Sequence, residues 1–406
     1  MIAKSSILTR LRRRIGEAIR VRAKHRKCRQ ILKRKRGCDQ QFVADQKAFR
    51  PIVLDAYVPQ NFMHLVPLYH ALKKRGNAPI FVAIRDASME SRRQAIERGV
   101  DALDILMGDT LMKVNPALTV SSDYAWEWLH PLAPDVSRVQ IFHGCLLKSF
   151  SSCTETLPQF THFFFPGPFY RAVFERLLQG HLKPKHQLLN TGMPRTDDII
   201  SLCVVKQEAR VSLDLDAHAQ TILYAPTWHL EASFLSFGEM IVRTLTEMGF
   251  QVLVRTHPYS IDSSTGRAAI RARALLKKLQ KLHKVVLAHE MDDRYVMAAS
   301  DMMIADYGSI AYEYLILDRP VVFFDCPEYR HLLQEDDLES WGRAAGTVVG
   351  NIDELRTAIM ASGGEPEAKA AQRKAVLDKI FFNLGQASDV CCQEIEALRD
   401  RVVSAE

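Results

Sequence analysis

Short apolar segments alternate with helix-length segments along most of the chain, and this alternation limits the possible folds more than any other feature. Six apolar segments occur in the first half, at residues 51–57, 78–84, 117–122, 138–143, 161–166 and 186–192. The pattern then begins again, at residues 221–226, 250–258, 284–288, 301–306 and 320–325. Apolar runs separated by helices are typical of βαβ units and parallel sheets. The sequence therefore predicts an α/β protein with two successive sheets and a cleft between them.

The polar segment 204–220 lies between the two halves and predicts the hinge. We accordingly divide the chain into four parts: an N-terminal arm, two α/β domains and a C-terminal tail, over residues 1–45, 46–205, 206–390 and 391–406. Ligands of open α/β sheets bind at the carboxyl ends of the strands. Functional residues are therefore expected in the turns that follow the strands.

The composition is that of a globular protein, with 406 residues, 47% hydrophobic and 25% charged. It excludes a disordered chain, a collagen and a disulfide miniprotein as descriptions of the whole chain. Because no run of about 20 apolar residues occurs, a membrane-spanning helix is not expected. The eight cysteines lack C-x-x-C spacing and no secretory apolar region occurs, which favours reduced thiols in the cytosol and argues against a zinc site.

Residues 1–36 contain fifteen Lys and Arg and one acidic residue, Glu17, so this arm carries +14. Because the whole chain carries +7, the other residues carry −7. Apolar residues recur every three or four positions from Ile7 to Ile19, which predicts a basic amphipathic helix that lies on an anionic membrane surface. The alternatives are a solvated arm or a helix packed on a partner. Nucleic acid is disfavoured, since no aromatic residue interleaves the basic run.

Four turns place polar or small residues directly after an apolar strand. In the first, His143 and Gly144 end the strand and Lys148 lies further on. A histidine there can take a proton from an attacking hydroxyl, and a glycine lets another group approach the backbone. The alternative is a structural histidine at a strand end.

The second and third turns belong to the second half. Thr227 and Trp228 offer a hydroxyl and a flat ring. Arg255, Thr256 and His257 cluster three donors, which suits an anionic ligand such as a diphosphate. The alternatives are ordinary packing beneath a loop for the second turn and a loop salt bridge for the third.

In the fourth turn a strand ends at Asp306 and a small turn, Tyr307-Gly308-Ser309, precedes a helix that contains Glu313. Ser309 is predicted to be the N-cap, and free backbone N–H groups at a positive helix end form a phosphate site. The alternative is that Ser309 merely caps the helix and Gly308 merely makes the turn.

A further segment, residues 191–199, contains Arg195 and Asp197, which are predicted to pair. It serves either as a latch at the domain boundary or in an acceptor or hinge role. No Walker A, G-x-G-x-x-G or H-E-x-x-H pattern occurs, which argues against a P-loop ATPase, a Rossmann dehydrogenase and a zincin.

Taken in order, QIFHGCLLK, TGMPRTD, YAPTW, RTHP and ASDMMIADYGSIAYEYLILDRPVVFF resemble motifs of the CDP-glycerol glycerophosphotransferase family, the polymerases and primases of teichoic-acid-like polymers. The resemblance runs from about Pro51 to Leu384. It implies a GT-B-like fold of two Rossmann-like domains, with the acceptor in the first and the CDP-linked donor in the second. It also implies peripheral attachment to the cytoplasmic face of the membrane.

Carried over to matching positions, the resemblance makes His143 the general base for the acceptor hydroxyl. Arg255 and His257 are expected to stabilise the charge of the diphosphate, and His257 is counted with His143 as catalytic. Gly308 and Ser309 are expected to bind phosphate, and Glu313 to take a ribose or polyol hydroxyl. The remaining expected site residues are Thr227, Trp228 and Thr256 on the donor side, and Gly144, Lys148, Arg195 and Asp197 on the acceptor or hinge side.

The chain departs from the family pattern at two positions. The family usually has Asp-Tyr-Ser-Ser where this chain has Gly308 in the third position, and often Asp in place of Glu313. The expected reaction transfers glycerol phosphate or a related polyol phosphate to a lipid-linked or glycan acceptor, without a redox cofactor or metal. The alternatives are a glycosyltransferase or epimerase that uses a UDP-sugar, and a non-catalytic membrane- or nucleic-acid-binding protein.

Overall fold

A computed structural model describes residues 50–56, 59–84, 89–107, 114–122, 136–144, 157–257, 260, 266–288, 291–331, 337–362 and 367–404. The predicted basic arm, residues 1–36, and Lys148 lie outside these residues. Within them, no helix combines the length and the apolar character needed to span a bilayer.

The first half is built on a parallel sheet of seven strands in the order β3-β2-β1-β4-β5-β6-β7. Central strands such as β1 are buried along their whole length, as the unbroken apolar runs require. The strands are β1 Ile52–Ala56, β2 Ile80–Ile84, β3 Ile105–Met107, β4 Leu118–Ser121, β5 Ser137–Gln140, β6 His162–Phe164 and β7 Gln187–Leu189. The helices are α1 Pro59–Arg75, α2 Met89–Glu97, α3 Pro168–Leu177 and α4 Arg195–Ser201.

The second half repeats the plan with six parallel strands in the order β10-β9-β8-β11-β12-β13. The strands are β8 Thr221–Ala225, β9 Gln251–Val254, β10 Val285–Leu287, β11 Met302–Ala305, β12 Val321–Phe324 and β13 Thr347–Val349. The helices are α5 Lys206–Ser212, α6 Ser233–Glu247, α7 Arg267–Leu279, α8 Asp293–Ala299, α9 Ser309–Tyr314, α10 Pro327–Arg330, α11 Leu338–Trp341, α12 Ile352–Ala361, α13 Glu367–Ile380 and α14 Ala387–Ser404. Two parallel sheets of this kind confirm the predicted GT-B-like class.

The predicted hinge, residues 204–220, is helical in its first part and irregular in the remainder. Helix α5 occupies its first part and is held to the second sheet by Arg210, whose Nη2 donates to Asp301 Oδ2 at 2.5 Å and whose Nε donates to the carbonyl of Ala299 at 3.0 Å. At least one polar residue of the predicted hinge, Arg210, is therefore engaged in fixed contacts with the second half.

The C-terminal residues set apart as a tail lie in α14, which packs on the first half. Cys391, Cys392, Ile395 and Leu398 join the core under the first sheet. Just before α14, the segment at Phe382 passes directly against Gly192 of the first half. A Cβ atom on Gly192 would lie 2.3 Å from the carbonyl oxygen of Phe382. A side chain at Gly192 would block this close approach, so the glycine is required there.

Candidate functional site

The order of strands reverses between β1 and β4 in the first sheet, and between β8 and β11 in the second. Ligands bind at the carboxyl ends of strands at such switch points. Ser122 follows β4, and Thr227 and Asp306 follow β8 and β11. Two of the predicted turns, at Thr227 and Asp306, therefore lie at the switch point of the second sheet. The predicted His143 turn follows β5, the strand beside β4 in the first sheet.

His143 stands at the crevice of the first half with a defined tautomer. Its Nδ1 lies 2.5 Å from the carbonyl oxygen of Ser122. Because a carbonyl only accepts, Nδ1 carries the proton, and the lone pair of the neutral ring is on Nε2. This is the arrangement that a general base needs, with one ring nitrogen anchored and the other able to accept a proton.

The residue before His143 has an unusual backbone conformation. Phe142 is fully buried and has φ of 54°, a left-handed value that is uncommon for a bulky side chain. Its ring packs on Tyr170 at 4.6 Å and Phe165 at 5.5 Å between centroids. The left-handed conformation of Phe142 costs on the order of 1–2 kcal/mol, and the aromatic packing offsets this cost. The resulting turn places the His143 ring against the carbonyl of Ser122.

Gly144 brings the first half close to the second. Its φ is 137°, which L side chains rarely adopt, and a Cβ built on it would lie 3.7 Å from Ser309 Oγ. The two predicted turns, one from each half, therefore face each other across the cleft at van der Waals distance.

Asp306 accepts hydrogen bonds from both turns at the switch point of the second half. One carboxylate oxygen accepts the backbone N–H groups of Thr227 and Tyr307, both at 2.7 Å. The other oxygen accepts from the backbone N–H of Ser233 at 2.9 Å and from its hydroxyl at 2.6 Å. Asp306 was not among the predicted site residues, although an aspartate directly after an apolar strand is a signal that could have included it.

Ser309 has a different local role from the one predicted. Helix α9 begins at Ser309, its N-cap residue is Gly308, and no side chain caps it. The serine is therefore the first helical residue and not the N-cap. Its hydroxyl lies beside Gly144 instead of closing the helix end.

Arg195 and Asp197 do not pair with each other. Arg195 is buried and donates through Nε to Glu313 Oε2 at 2.7 Å and through Nη2 to Asp293 Oδ2 at 2.6 Å. Asp197 instead accepts the backbone N–H groups of the first residues of α14, Ala387 at 3.2 Å and Ser388 at 2.7 Å. The contacts of Arg195 join the two halves, and those of Asp197 fix the start of α14.

Glu313 is enclosed rather than presented to a substrate. Only 5% of its side chain is exposed. Burial raises the pKa of Glu313, and the neighbouring Arg195 opposes that rise. Burial would lower the pKa of Arg195, but attraction by Asp293 and Glu313 outweighs it and raises the pKa. The expected hydroxyl contact of Glu313 is therefore replaced by an ion pair between the halves.

The Arg255 turn follows β9, the neighbour of β8, so it shares the carboxyl edge with Thr227. Arg255 Nη1 donates to the carbonyl of Thr256 at 3.1 Å. Thr256 is buried, and its hydroxyl has no hydrogen-bond partner within the part of the chain that the structure describes. His257 is exposed. The edge thus combines a guanidinium, a hydroxyl and an imidazole.

Trp228 lies at the mouth of a pocket of about 430 Å³ that Thr227, Phe234 and Ala269 also line. The residue is 52% exposed, and its ring meets the ring of His229 edge-on at 5.8 Å between centroids. His229 in turn contacts Tyr329, at 5.0 Å between centroids. A half-exposed aromatic ring over a partly apolar pocket suits a flat ligand group.

His64 is a site residue that the sequence analysis missed. It lies in α1, and its ring is 6.1 Å from that of His143. Burial, and then the positive charge of Arg195, lowers the pKa of His64 well below the ordinary value. Burial therefore favours the neutral form of the ring beside the candidate base. Only the contact with His143 distinguishes it from other helical histidines.

The predicted site thus comes together in part. Gly144, next to His143, approaches Ser309, next to Gly308, across the cleft, and Thr227, Trp228 and the Arg255 turn follow neighbouring strands of the second sheet. Lys148 lies outside the described residues. Within those residues, no group of three or more His, Cys, Asp and Glu side chains could hold a metal ion.

These features define a two-domain α/β protein of GT-B-like fold, with candidate site residues on both sides of the cleft. A model of the CDP-glycerol:poly(glycerophosphate) glycerophosphotransferase family matches residues 88–397. The chain belongs to this family of enzymes, as the motifs predicted.

Relatives with curated names agree with this family. A teichoic acid ribitol-phosphate polymerase, TarL of Staphylococcus aureus, is 26% identical over 47% of this chain and 33% of its own length. A teichoic acid glycerol-phosphate transferase of the same species is 24% identical over 57% of this chain and 59% of its own length. The chain matches about a third of the length of several such relatives.

Solved structures show the same fold. The wall teichoic acid polymerase TagF superposes with a TM-score of 0.65 at 16% identity, over 88% of this chain and 89% of that one. A UDP-GlcNAc 2-epimerase from Neisseria meningitidis superposes with a TM-score of 0.58 at 13% identity, over 85% of this chain and 99% of that one. At these identities the likeness concerns the fold alone.

Proposed function

We propose that the protein transfers glycerol phosphate or a related polyol phosphate from a CDP-linked donor to a hydroxyl of a lipid-linked or glycan acceptor, in the synthesis of a cell-surface polymer. The observation that carries the proposal is the meeting of the His143–Gly144 turn with the Gly308–Ser309 turn across the cleft. A base on one side and a phosphate-binding turn on the other can hold an attacking hydroxyl in line with a phosphorus atom.

In the proposed reaction the acceptor oxygen attacks the β-phosphorus of the donor. The bond from that phosphorus to the oxygen it shares with the α-phosphate breaks, and CMP leaves. Nε2 of His143 takes the proton of the hydroxyl, since Nδ1 is held by Ser122. Arg255 and His257 stabilise the charge that develops on the diphosphate. The hydroxyl and backbone N–H groups of the Gly308–Ser309 turn bind the transferred phosphate, so the proposal needs neither a metal nor a redox cofactor.

Relatives support a CDP-polyol as the donor class. The matching proteins are named both for ribitol phosphate and for glycerol phosphate, and a TagF variant has been soaked with CDPG. Either polyol is compatible with the proposal. We place Trp228 and its pocket on the nucleotide side, where the ring can cover the base.

The basic arm supports a location at the inner face of the cell membrane. Residues 1–36 carry +14 while the remainder carries −7. Attraction of this arm to anionic lipids would attach the enzyme peripherally and near a lipid-linked acceptor.

The test is nucleotide release by the purified full-length chain, with CDP-glycerol, CDP-ribitol and UDP-sugars compared and membranes as the acceptor source. CMP release from a CDP-polyol is expected, and His143→Ala should lower it roughly 10²–10⁴-fold. His181→Ala, an exposed histidine of the same half, is the matched control and should leave the rate unchanged.

Two results would contradict the proposal. UDP release from a UDP-sugar without CMP release would point to a glycosyltransferase or epimerase, whose fold this chain shares. Full function of His143→Ala, together with loss of function on removal of residues 1–36, would point to a non-catalytic binding protein.

A further inference from the structure

Helices α6 and α7 enclose a groove of about 550 Å³ on the outer face of the second half. Both helices pack on a core that is drawn entirely from residues 222–359 of that half. The helices that approach the first half, such as α8 and α9, belong to a different core, which includes Met193 and Ile199. The groove adjoins the Trp228 pocket through Leu235, which lines both, but none of its other lining residues lines that pocket.

The groove has an apolar floor. Leu235, Met240, Ala274 and Leu275 line it. Met240 is 47% exposed. Apolar side chains of this kind offer a buried surface to an aliphatic ligand, at roughly 25 cal/mol per Å² removed from water.

The rim of the groove is positively charged. Three basic residues, Arg243, Arg271 and Lys278, line it beside a single acidic residue, Glu239. Glu239 accepts from Arg243 Nε at 2.8 Å and from Lys278 Nζ at 2.5 Å, so its charge is already opposed by both. A surplus of positive charge remains at the edge of an apolar floor.

The charge extends along the whole of α7 and the turn after it. Residues 267–284 contain seven Lys and Arg and no acidic residue. This contrasts with the −7 carried overall by residues 37–406. Ile270, on the same helix, is 56% exposed. Helix α7 is thus a basic amphipathic helix that shows apolar as well as cationic side chains to solvent.

This combination selects among anionic partners. A polyanion without apolar groups, such as a poly(polyol phosphate), would pair with the rim but leave the floor uncovered. A nucleic acid would normally stack on aromatic side chains, and the groove residues include none. An anionic lipid surface matches both kinds of side chain, since phosphate headgroups pair with the basic residues and the half-exposed side chain of Met240 can reach the acyl region.

We propose that the groove between α6 and α7 binds an anionic membrane surface, as a second contact in addition to the basic arm. Headgroup phosphates pair with Arg243, Arg271 and Lys278, and Met240 enters the acyl region. The inference does not depend on the reaction proposed above. Two separate contacts would hold the donor half, as well as the arm, at the membrane.

The test is partition of the full-length chain onto vesicles of phosphatidylcholine with and without phosphatidylglycerol. Arg271→Gln with Lys278→Gln should lower partition onto the anionic vesicles about 30-fold, from two basic residues at roughly 1 kcal/mol each. Lys183→Gln with Lys185→Gln removes the same charge from exposed positions of the first half and should change partition less than about twofold.

Two further measurements separate the possible partners. Met240→Gln should weaken vesicle partition about fivefold through lost apolar contact, and should leave binding of inorganic polyphosphate unchanged. Equal partition of the Arg271/Lys278 variant and its control would overturn the proposal. So would a loss of polyphosphate binding in that variant while vesicle partition stays intact, because the groove would then serve a polyanion.

Discussion

Replacing Arg195 by methionine removes the cation that joins the two halves through Glu313 and Asp293. The exposed fraction of the side chain is 2% for Arg195, 5% for Glu313 and 13% for Asp293. Methionine fills much of the same volume but donates no hydrogen bond. The variant therefore leaves two carboxylates in an enclosed site without the guanidinium that compensates them.

The expected loss follows from this geometry. Removing one partner of a buried ion pair destabilises a protein by about 3–5 kcal/mol, because the remaining charge stays desolvated. Arg195→Met should lower the free energy of unfolding by that amount at about pH 8. Arg356→Met is the matched control, since its pair with Glu247 at 3.1 Å is largely exposed. An exposed pair contributes about 0–1 kcal/mol.

The decrease in the free energy of unfolding of Arg195→Met should depend on pH. Burial raises the pKa of Glu313 above its ordinary value, and Arg195 opposes this rise, so the pKa should rise further without the arginine. A carboxyl with a higher pKa in the folded state binds more protons folded than unfolded. Stability then falls as pH rises from the unfolded pKa through the folded one. Arg195→Met should therefore recover part of its stability as the pH falls from about 8 toward the ordinary range of a glutamate, about pH 4–5.

Urea unfolding of the parent and both variants, at about pH 8 and about pH 5, measures these differences. A loss below about 1 kcal/mol for Arg195→Met at the higher pH would refute the account of a buried, compensated cluster. An equal loss at both pH values would refute the assignment of the pH dependence to Glu313.

Three shorter predictions concern the turns. Gly144→Ala should strain the turn beside Ser309 and lower CMP release at least about tenfold. Gly180→Ala is the control, since Gly180 has φ of 88° and an added Cβ would meet nothing within 4 Å. This variant should lose stability without losing activity. Asp306→Asn should lower the free energy of unfolding by about 1–3 kcal/mol in urea, because an amide group would then face backbone donors. Asp197→Ala should lower it by about 1 kcal/mol, by removing the acceptor at the start of α14.

Local patterns predicted most of the strands and the turns that follow them. The strands missed were β3 and β13, which lie at the edges of their sheets and have three residues each. Length and edge position alone do not explain the omission, because β7 and β10 are equally short edge strands and were predicted. Asp306, His143 and Ser309 are visible as strand-end residues because a parallel sheet places such ends at one edge.

Other parts of the site depend on contacts between residues far apart in the chain. His64 is an ordinary helical histidine until the fold brings it to His143. The pairing of Arg195 with Glu313 rather than with Asp197 joins positions 118 residues apart. Which partner an arginine takes depends on which carboxylate loses its water when the two halves pack, and local spacing contains no such information.

The sequence by itself determined the two α/β halves, the family and the turns at the strand ends, because each is expressed in periodicity or in short contiguous motifs. The tertiary structure alone decided the tautomer of His143, the approach of Gly144 to Ser309 and the return of α14 to the first half. These depend on which surfaces become buried together. For example, the spacing of the sequence allows Arg195 to pair with Asp197, and only the packing of the two halves places it against Glu313.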